Sequence, residues 1–150
     1  MLLRILATDP NWAPTFARII LGVIFFAHGS QKVLGWFGGQ GLRQTLRTLK
    51  EQVGLPAIVA LVAAGAEFFG GAALILGFLG RISALGIAVN MLAAIVMVHG
   101  KFGLFMNWFG DRKGHGIEYH MFAIALAIVI IVEGSGAFSL DGSLSNWIGA

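Results

Sequence analysis

Charge is scarce in this 150-residue sequence. Asp, Glu, Lys and Arg together make up 11% of the residues, whereas a soluble domain carries about 25%. Hydrophobic residues reach 57%, so a soluble fold would have too few charged side chains to cover its surface. The composition therefore predicts a protein whose surroundings are lipid.

Cysteine is absent altogether. This absence excludes disulfide scaffolds, thiol–disulfide chemistry, and iron–sulfur or zinc sites with thiolate ligands. Any redox role must therefore draw its electrons from a bound cofactor or from a partner protein. The formal net charge of +3 is better explained as loop charge that sets membrane topology than as a nucleic-acid footprint, so no nucleic-acid partner is expected.

Four apolar segments come close to the ~20 residues that a helix needs to cross a bilayer. They cover residues 15–35, 56–79, 82–100 and 117–138. The four tryptophans lie just outside these segments, as expected of rings that prefer the headgroup level: Trp12, Trp36, Trp108 and Trp147. The predicted fold is all-α, a polytopic membrane protein with four transmembrane helices in one bundle.

The loops carry most of the positive charge. Residues 42–52 place three leucines against Arg43, Arg47 and Lys50, which predicts a short interfacial helix between spans one and two. Seven of the ten basic residues lie in or beside loops 36–55 and 101–116, which predicts that these loops are cytoplasmic and that both termini lie outside. The seven are Lys32, Arg43, Arg47, Lys50, Lys101, Arg112 and Lys113.

Glu67 is the acidic residue that lies deepest in a predicted span. Ten large apolar side chains of the second span contribute roughly −3 to −6 kcal/mol, against about +2.5 to +3.5 kcal/mol for one central carboxylate. The span is therefore expected to insert with Glu67 inside it. An ionisable residue in that position is the default candidate for function.

Helical phase decides which polar side chains can meet inside the bundle. At about 100° per residue, Arg18, His28 and Lys32 share one face of the first span. In the third span Asn90 and His99 lie on opposite faces, so only one of them is expected to point inward. In the fourth span Glu118 and His120 are opposed in the same way. The predicted inward set comprises His28, Lys32, Glu67 and Glu118, with either Asn90 or His99.

Two of these residues have competing interpretations. Glu67 serves either as a proton carrier or as the partner of Lys32 or an arginine in a structural ion pair. His28 either donates to a quinone carbonyl or makes a polar contact between helices. Haem held by facing histidines is a weaker candidate cofactor than quinone, because no attachment motif exists and the helical phases are poor.

Two further patterns are assigned no chemistry. His115 and Glu118 have an i,i+3 spacing found in metal sites, but the pair straddles a loop end, so no metal site is predicted. The charged residues of the outer rim are expected to form structural ion pairs, with Arg81 and Asp141 as the simplest salt bridge. These rim residues are Arg18, Arg81, Glu133 and Asp141.

The order of these motifs resembles the DoxX family of small membrane proteins with four spans. The similarity runs from about residue 16 to residue 141, while the loop 101–116 has no counterpart that can be aligned. The matching residues are Arg18 and Gly22; His28-Gly29-x-x-Lys32; Glu67-x-x-Gly70-Gly71-x-x-Leu74 with Gly77; Arg81; Glu118-Tyr119; and Gly134-x-Gly136-x-x-Ser139-x-Asp141. The resemblance implies that residues 1–150 form a single DoxX-like transmembrane domain in a bacterial inner membrane.

The family includes subunits associated with a quinol oxidase and relatives that look like the membrane part of thiosulfate:quinone oxidoreductases. The resemblance therefore implies an accessory membrane subunit of quinone-linked redox chemistry. In this interpretation His28, Lys32 and Glu67 bind or protonate a quinone-like ligand, helped by Asn90, His99 and Glu118. The expected partners are the bilayer and a redox or soluble subunit, with a second copy of the chain as an open alternative.

Two other functions remain open from the sequence. The chain is either a non-catalytic scaffold or assembly factor whose polar residues set the helix register, or a small proton-linked transporter that uses Glu67. The lack of an inverted repeat disfavours the transporter.

Overall fold

The computed structural model describes residues 2–111 and 113–149, and every regular element in these two ranges is a helix. Two helices continue into irregular turns, a π-helical turn at Leu49–Val53 after α3, and a π turn at Ile95–His99 followed by a 3₁₀ turn at Gly100–Phe102 after α5. The all-α class is therefore confirmed. The helices are α1 (Leu2–Leu6), α2 (Trp12–Val33), α3 (Gly41–Thr48), α4 (Ala57–Leu76), α5 (Gly80–Ala94), α6 (Glu118–Glu133) and α7 (Leu140–Gly149).

Three helical segments in the described part of the chain are long and apolar enough to cross a membrane: Trp12–Val33, Ala57–Leu76 and Gly80–Phe102. The fourth expected span begins where predicted but is the 16-residue α6, which is only about 24 Å long at 1.5 Å per residue. It ends at Glu133 because Gly134 turns the chain with a φ of 89°. A count of four spans therefore stays a prediction.

Two short helices at the ends of the chain were not predicted. Helix α7 begins after Ser139, whose Oγ accepts a hydrogen bond from Gly142 N at 3.1 Å and so acts as its N-cap. Helix α1 precedes a turn in which Asn11 caps α2 by accepting from Ala13 N at 3.0 Å. The short helix expected at 42–52 is present as α3 and its π-helical extension, and its interfacial position stays a prediction.

Close approach of α2 and α4 organises the bundle. A Cβ on Gly29 would overlap the backbone of Phe68, and a Cβ on Gly71 would overlap the backbone of Phe26. The two helix backbones are thus in contact, as small residues permit in membrane proteins. The buried core beside this contact includes Leu21, Phe25, Leu74, Ile87 and Ile130.

Arg18 lies in the core at one end of the bundle, which we call the Arg18 end. It is 2% exposed, and its guanidinium donates to five carbonyl oxygens at 2.6–3.0 Å. These carbonyls belong to the end of α4 and to the segment 134–139. All five N–H donors of Arg18 are therefore taken by backbone carbonyls, in place of the expected ion pair. The acceptors are the carbonyls of Leu74, Ile75, Ser135, Ala137 and Phe138.

The expected salt bridge between Arg81 and Asp141 does not form. Asp141 lies beneath the start of α5, where it accepts from Leu79 N at 2.7 Å and from Gly80 N at 2.9 Å. Arg81 instead donates to carbonyls of Ile131 and Val132. Each charge thus compensates a helix end, the carboxylate at an N-terminus and the cation at a C-terminus.

Glu133, the fourth residue expected in an ion pair of the rim, is exposed. The salt bridges among the described residues are Lys32–Glu67 and Arg47–Glu51, so Glu133 does not form the expected pair with any side chain that the structure describes. Arg112, one of the seven basic residues used for orientation, lies outside the described residues. Which end of the bundle faces the cytoplasm stays a prediction.

Candidate functional site

A cavity of about 360 Å³ lies at the opposite end of the bundle from Arg18. We call it the Lys32 cavity. Its walls come from α2, α4, α5 and α6, and the π-helical turn after α3 also contributes. Most of its lining is apolar, and the charged or polar members of the lining are His28, Lys32, Gln52, Glu67, Asn90, His99, Tyr119 and His120.

Three polar side chains from three helices meet at one wall of the cavity. Lys32 Nζ lies 2.5 Å from Glu67 Oε1, and Asn90 Nδ2 donates to the same oxygen at 2.9 Å. The Glu67 side chain is 3% exposed and that of Lys32 is 36% exposed. The carboxylate is thus held by two donors, while the ammonium keeps access to the cavity.

The sequence around Gly29 brings this pair together. Because Gly29 has no side chain, the last turns of α2 lie directly against the α4 backbone at Glu67 and Phe68. Lys32 follows Gly29 by three residues and so lies on the same face of α2, above this contact. In the His28-Gly29-x-x-Lys32 motif, Lys32 is therefore the cation of the ion pair, and Gly29 allows the close helix contact that brings Lys32 to Glu67.

His28 and Tyr119 form a second wall. The two rings are 5.9 Å apart between centroids, and Tyr119 stacks on Phe25 at 6.3 Å. His28 is exposed, and no hydrogen bond joins it to another side chain among the described residues. Its imidazole is thus positioned by ring contacts with its nitrogens available for a ligand.

Both Asn90 and His99 line the cavity, which corrects the expectation that only one of them points inward. The expectation assumed a regular α-helix, but the chain forms a π turn at Ile95–His99. A π turn accommodates an extra residue, so the side chains after it are rotated relative to an α-helix. His99 consequently lies with its ring 4.3 Å from that of His120, and its Nδ1 is 2.9 Å from the carbonyl oxygen of His115.

Glu118 does not join the cavity lining, contrary to expectation. It is the first residue of α6, and its Oε2 accepts a hydrogen bond from Met106 N at 3.0 Å. Backbone bonds from Ile117 N to Gly103 O and from Glu118 N to Leu104 O hold the same loop. Glu118 therefore fixes the loop 101–116 to the start of α6.

Tyr119 and His120 are the lining residues that the sequence did not identify. Their position follows from that of Glu118. Because the Glu118 side chain points toward the preceding loop, the side chains of Tyr119 and His120 face the cavity instead. The signal in the sequence was the single tyrosine of the chain, which lies at the start of an apolar segment beside Glu118.

Three lining residues carry buried polar atoms that have no hydrogen-bond partner among the described residues. These atoms are Glu67 Oε2, the Tyr119 hydroxyl and His120 Nδ1. A buried polar group without a hydrogen bond costs about 1–3 kcal/mol. The cavity wall therefore contains donors and acceptors that the protein itself leaves unsatisfied, which is the expected state of a site for a polar ligand.

Comparisons with known proteins give one family and two relatives. Residues 13–100 match the sequence profile of the DoxX family. The chain is 29% identical over 124 residues to "Putative oxidoreductase CatD" of Bacillus subtilis (strain 168), covering 83% of this chain and 81% of the relative. It is 28% identical over 135 residues to "Inner membrane protein YqjF" of Escherichia coli (strain K12), covering 87% and 90%. No solved structure matches the chain.

Proposed function

The chain belongs to the DoxX family, and on that basis we propose that it is an inner-membrane subunit that binds a quinone-like ligand and serves a redox partner. The observation that carries the proposal is the Lys32 cavity, in which charged and polar groups with unused hydrogen-bonding capacity lie inside apolar helices. The name "Putative oxidoreductase CatD" supports the redox assignment, and the name "Inner membrane protein YqjF" supports the inner membrane.

Lys32 is the group best suited to a ligand carbonyl. An ammonium has three donors, and the ion pair with Glu67 uses one of them. Because the lysine side chain is 36% exposed, the remaining donors can reach a carbonyl oxygen in the cavity without loss of the ion pair.

Glu67 is the group best suited to hold a proton. Both protein donors bind its Oε1, so Oε2 is left to accept from a ligand hydroxyl or to carry a proton itself. A quinone supplies the exchange of electrons and protons when it is bound. Since the chain has no cysteine, we propose that the partner subunit supplies the electrons.

Tyr119 offers the sharpest test, because its hydroxyl is buried and makes no hydrogen bond to the part of the chain that the structure describes. Quinone retained by the protein in lipid nanodiscs is measured against empty discs and titrated with a short-chain ubiquinone. Tyr119→Phe is expected to weaken binding by roughly 2–10-fold, the equivalent of one lost hydrogen bond between uncharged groups, without loss of thermal stability. Glu67→Gln is expected to weaken binding similarly.

Glu133→Gln is the matched control, because Glu133 is an exposed carboxylate at the Arg18 end. It is expected to leave binding unchanged. Quinone content equal to that of empty discs would contradict the proposal, as would equal affinities of the wild type and Tyr119→Phe. A Soret band in the purified protein would show that haem supplies the electrons and would overturn their assignment to the partner.

The scaffold is the second candidate function, and the same ion pair favours it. Lys32, Glu67 and Asn90 join α2, α4 and α5, so they could serve only to set the helix register. A scaffold predicts that their variants change stability and partner capture together, with no quinone retained by the wild type.

A further inference from the structure

The Lys32 cavity has a polar wall and an apolar opening. Lys32, Glu67 and Asn90 form the polar wall. Toward the start of α4 and the end of α5 the lining becomes apolar, and most of its side chains there are small. These lining residues are Val59, Ala63, Ala93, Ala94, Met97 and Val98.

The opening lies between α4 and α5. Val59 is 46% exposed and Met97 is 47% exposed although both line the cavity, whereas Ala60 beside Val59 is fully buried. Met97 belongs to the π turn that continues α5, and such a turn widens the helix locally. Exposed apolar lining therefore lies at the side of the bundle, near the ends of two candidate membrane spans.

Two other sides of the cavity are closely packed, and the turn after α3 lies at a third. The backbones of α2 and α4 are in contact at Gly29. Between α2 and α6, Tyr119 packs against Phe25 and His28. Leu49 and Val53 of the turn after α3 line the end that is nearest to the loops.

From this geometry we infer that the cavity binds an amphiphile with an uncharged ring headgroup and an apolar tail that leaves between Val59 and Met97 into the bilayer. This inference rests on the proposed function and adds the ligand's tail, its exit and its entry from the lipid phase. A volume of about 360 Å³ is at the lower end of the roughly 300–1,000 Å³ typical of ligand pockets. It accommodates a ring headgroup but not a long tail as well.

The charges of the cavity favour an uncharged head over a phosphate. The charge of Lys32 is already matched by Glu67 at 2.5 Å. The other titratable lining groups are His28, His99, His120 and Tyr119. A phosphate would therefore add an unmatched negative charge to an apolar site, which is costly.

The exit is tested with a long-chain ubiquinone that carries a diazirine in its tail, photolysed in nanodiscs that contain the wild-type protein. Peptide mass spectrometry is expected to find crosslinks at the start of α4 and around Met97. Crosslinks on the exposed Met121 and Phe122 of α6 in their place would overturn the exit while leaving quinone binding intact. Absence of any specific crosslink, together with absence of quinone retention, would overturn the proposed function and the exit together.

Ala93→Trp places a large side chain at the opening, and Ala125→Trp is its control on an exposed alanine of α6. Ala93→Trp is expected to raise the Kd of the tailed quinone roughly ten-fold more than it raises the Kd of a tail-less dimethoxybenzoquinone. Ala125→Trp is expected to change neither Kd. Equal affinities of Ala93→Trp and the wild type for the tailed quinone would contradict the exit.

Discussion

Removal of the Lys32 ammonium is the perturbation whose cost follows most directly from the structure. Lys32→Met leaves the Glu67 carboxylate, whose side chain is 3% exposed, with Asn90 as its remaining donor. Breaking a fully buried ion pair costs about 3–5 kcal/mol, and because Lys32 is 36% exposed we expect a loss of about 2–3 kcal/mol in the free energy of unfolding.

The double variant Lys32→Met/Glu67→Gln is expected to be more stable than the sum of the single changes implies. With both charges gone no carboxylate is left unpaired, so the coupling energy is expected to be about 1–2 kcal/mol. The assay is unfolding in mixed micelles titrated with a denaturing detergent and followed by circular dichroism, for the two single variants and the double variant.

The chain offers a matched control in Arg47 and Glu51. This pair is joined at 2.8 Å, but its side chains are 67% and 59% exposed, so its coupling energy is expected to be below about 0.5 kcal/mol. A Lys32–Glu67 coupling no larger than that of the exposed pair would refute the reasoning that burial makes the inner pair strong.

Three further predictions concern the packing of the helices. Arg18→Gln is expected to destabilise the protein by about 4 kcal/mol or more, because hydrogen bonds to five carbonyls depend on one guanidinium; a thermal unfolding curve close to that of the wild type would contradict this. Gly29→Ala is expected to lower the free energy of unfolding by at least about 2 kcal/mol, because its methyl group would overlap the α4 backbone. Gly86 has open space around it, so Gly86→Ala is expected to be neutral or slightly stabilising. Equal effects of the two variants in denaturant titration would disprove the close contact. Asp141→Ala is expected to lower the free energy of unfolding by about 1–2 kcal/mol through loss of the cap on α5. Because Asp141 and Arg81 do not pair, the effects of Asp141→Ala and Arg81→Met are expected to add within about 0.5 kcal/mol. A larger coupling energy in the same titrations would indicate a salt bridge and contradict this reasoning.

The sequence predicted the fold class and three polar residues of the cavity, His28, Lys32 and Glu67, because these follow from local chemistry. Apolar segments of span length must be helical in lipid, and Glu67 could be recognised from its depth in such a segment. His28 and Lys32 followed from their shared face on one helix.

The sequence failed where the chain departs from regular α-helix. Asn90 and His99 were placed on opposite faces because the π turn at Ile95–His99 has no recognised pattern in its sequence. Glu118 was expected in the cavity in place of Tyr119 and His120, but it binds Met106 N instead, a contact that depends on how the loop 101–116 folds. The rim charges were misassigned because backbone carbonyls and amides, which every residue carries, competed with charged side chains for Arg81 and Asp141.

The most direct test of quinone binding in the Lys32 cavity is photolabelling by a quinone whose ring carries an azide. The wild-type protein in nanodiscs is labelled, digested and analysed by mass spectrometry, with excess unlabelled quinone as competitor. The label is expected on peptides that contain Glu67, Asn90 or Tyr119, and competition is expected to abolish it. Labelling confined to lipid-facing residues, or labelling that competitor does not reduce, would contradict a quinone site in this cavity.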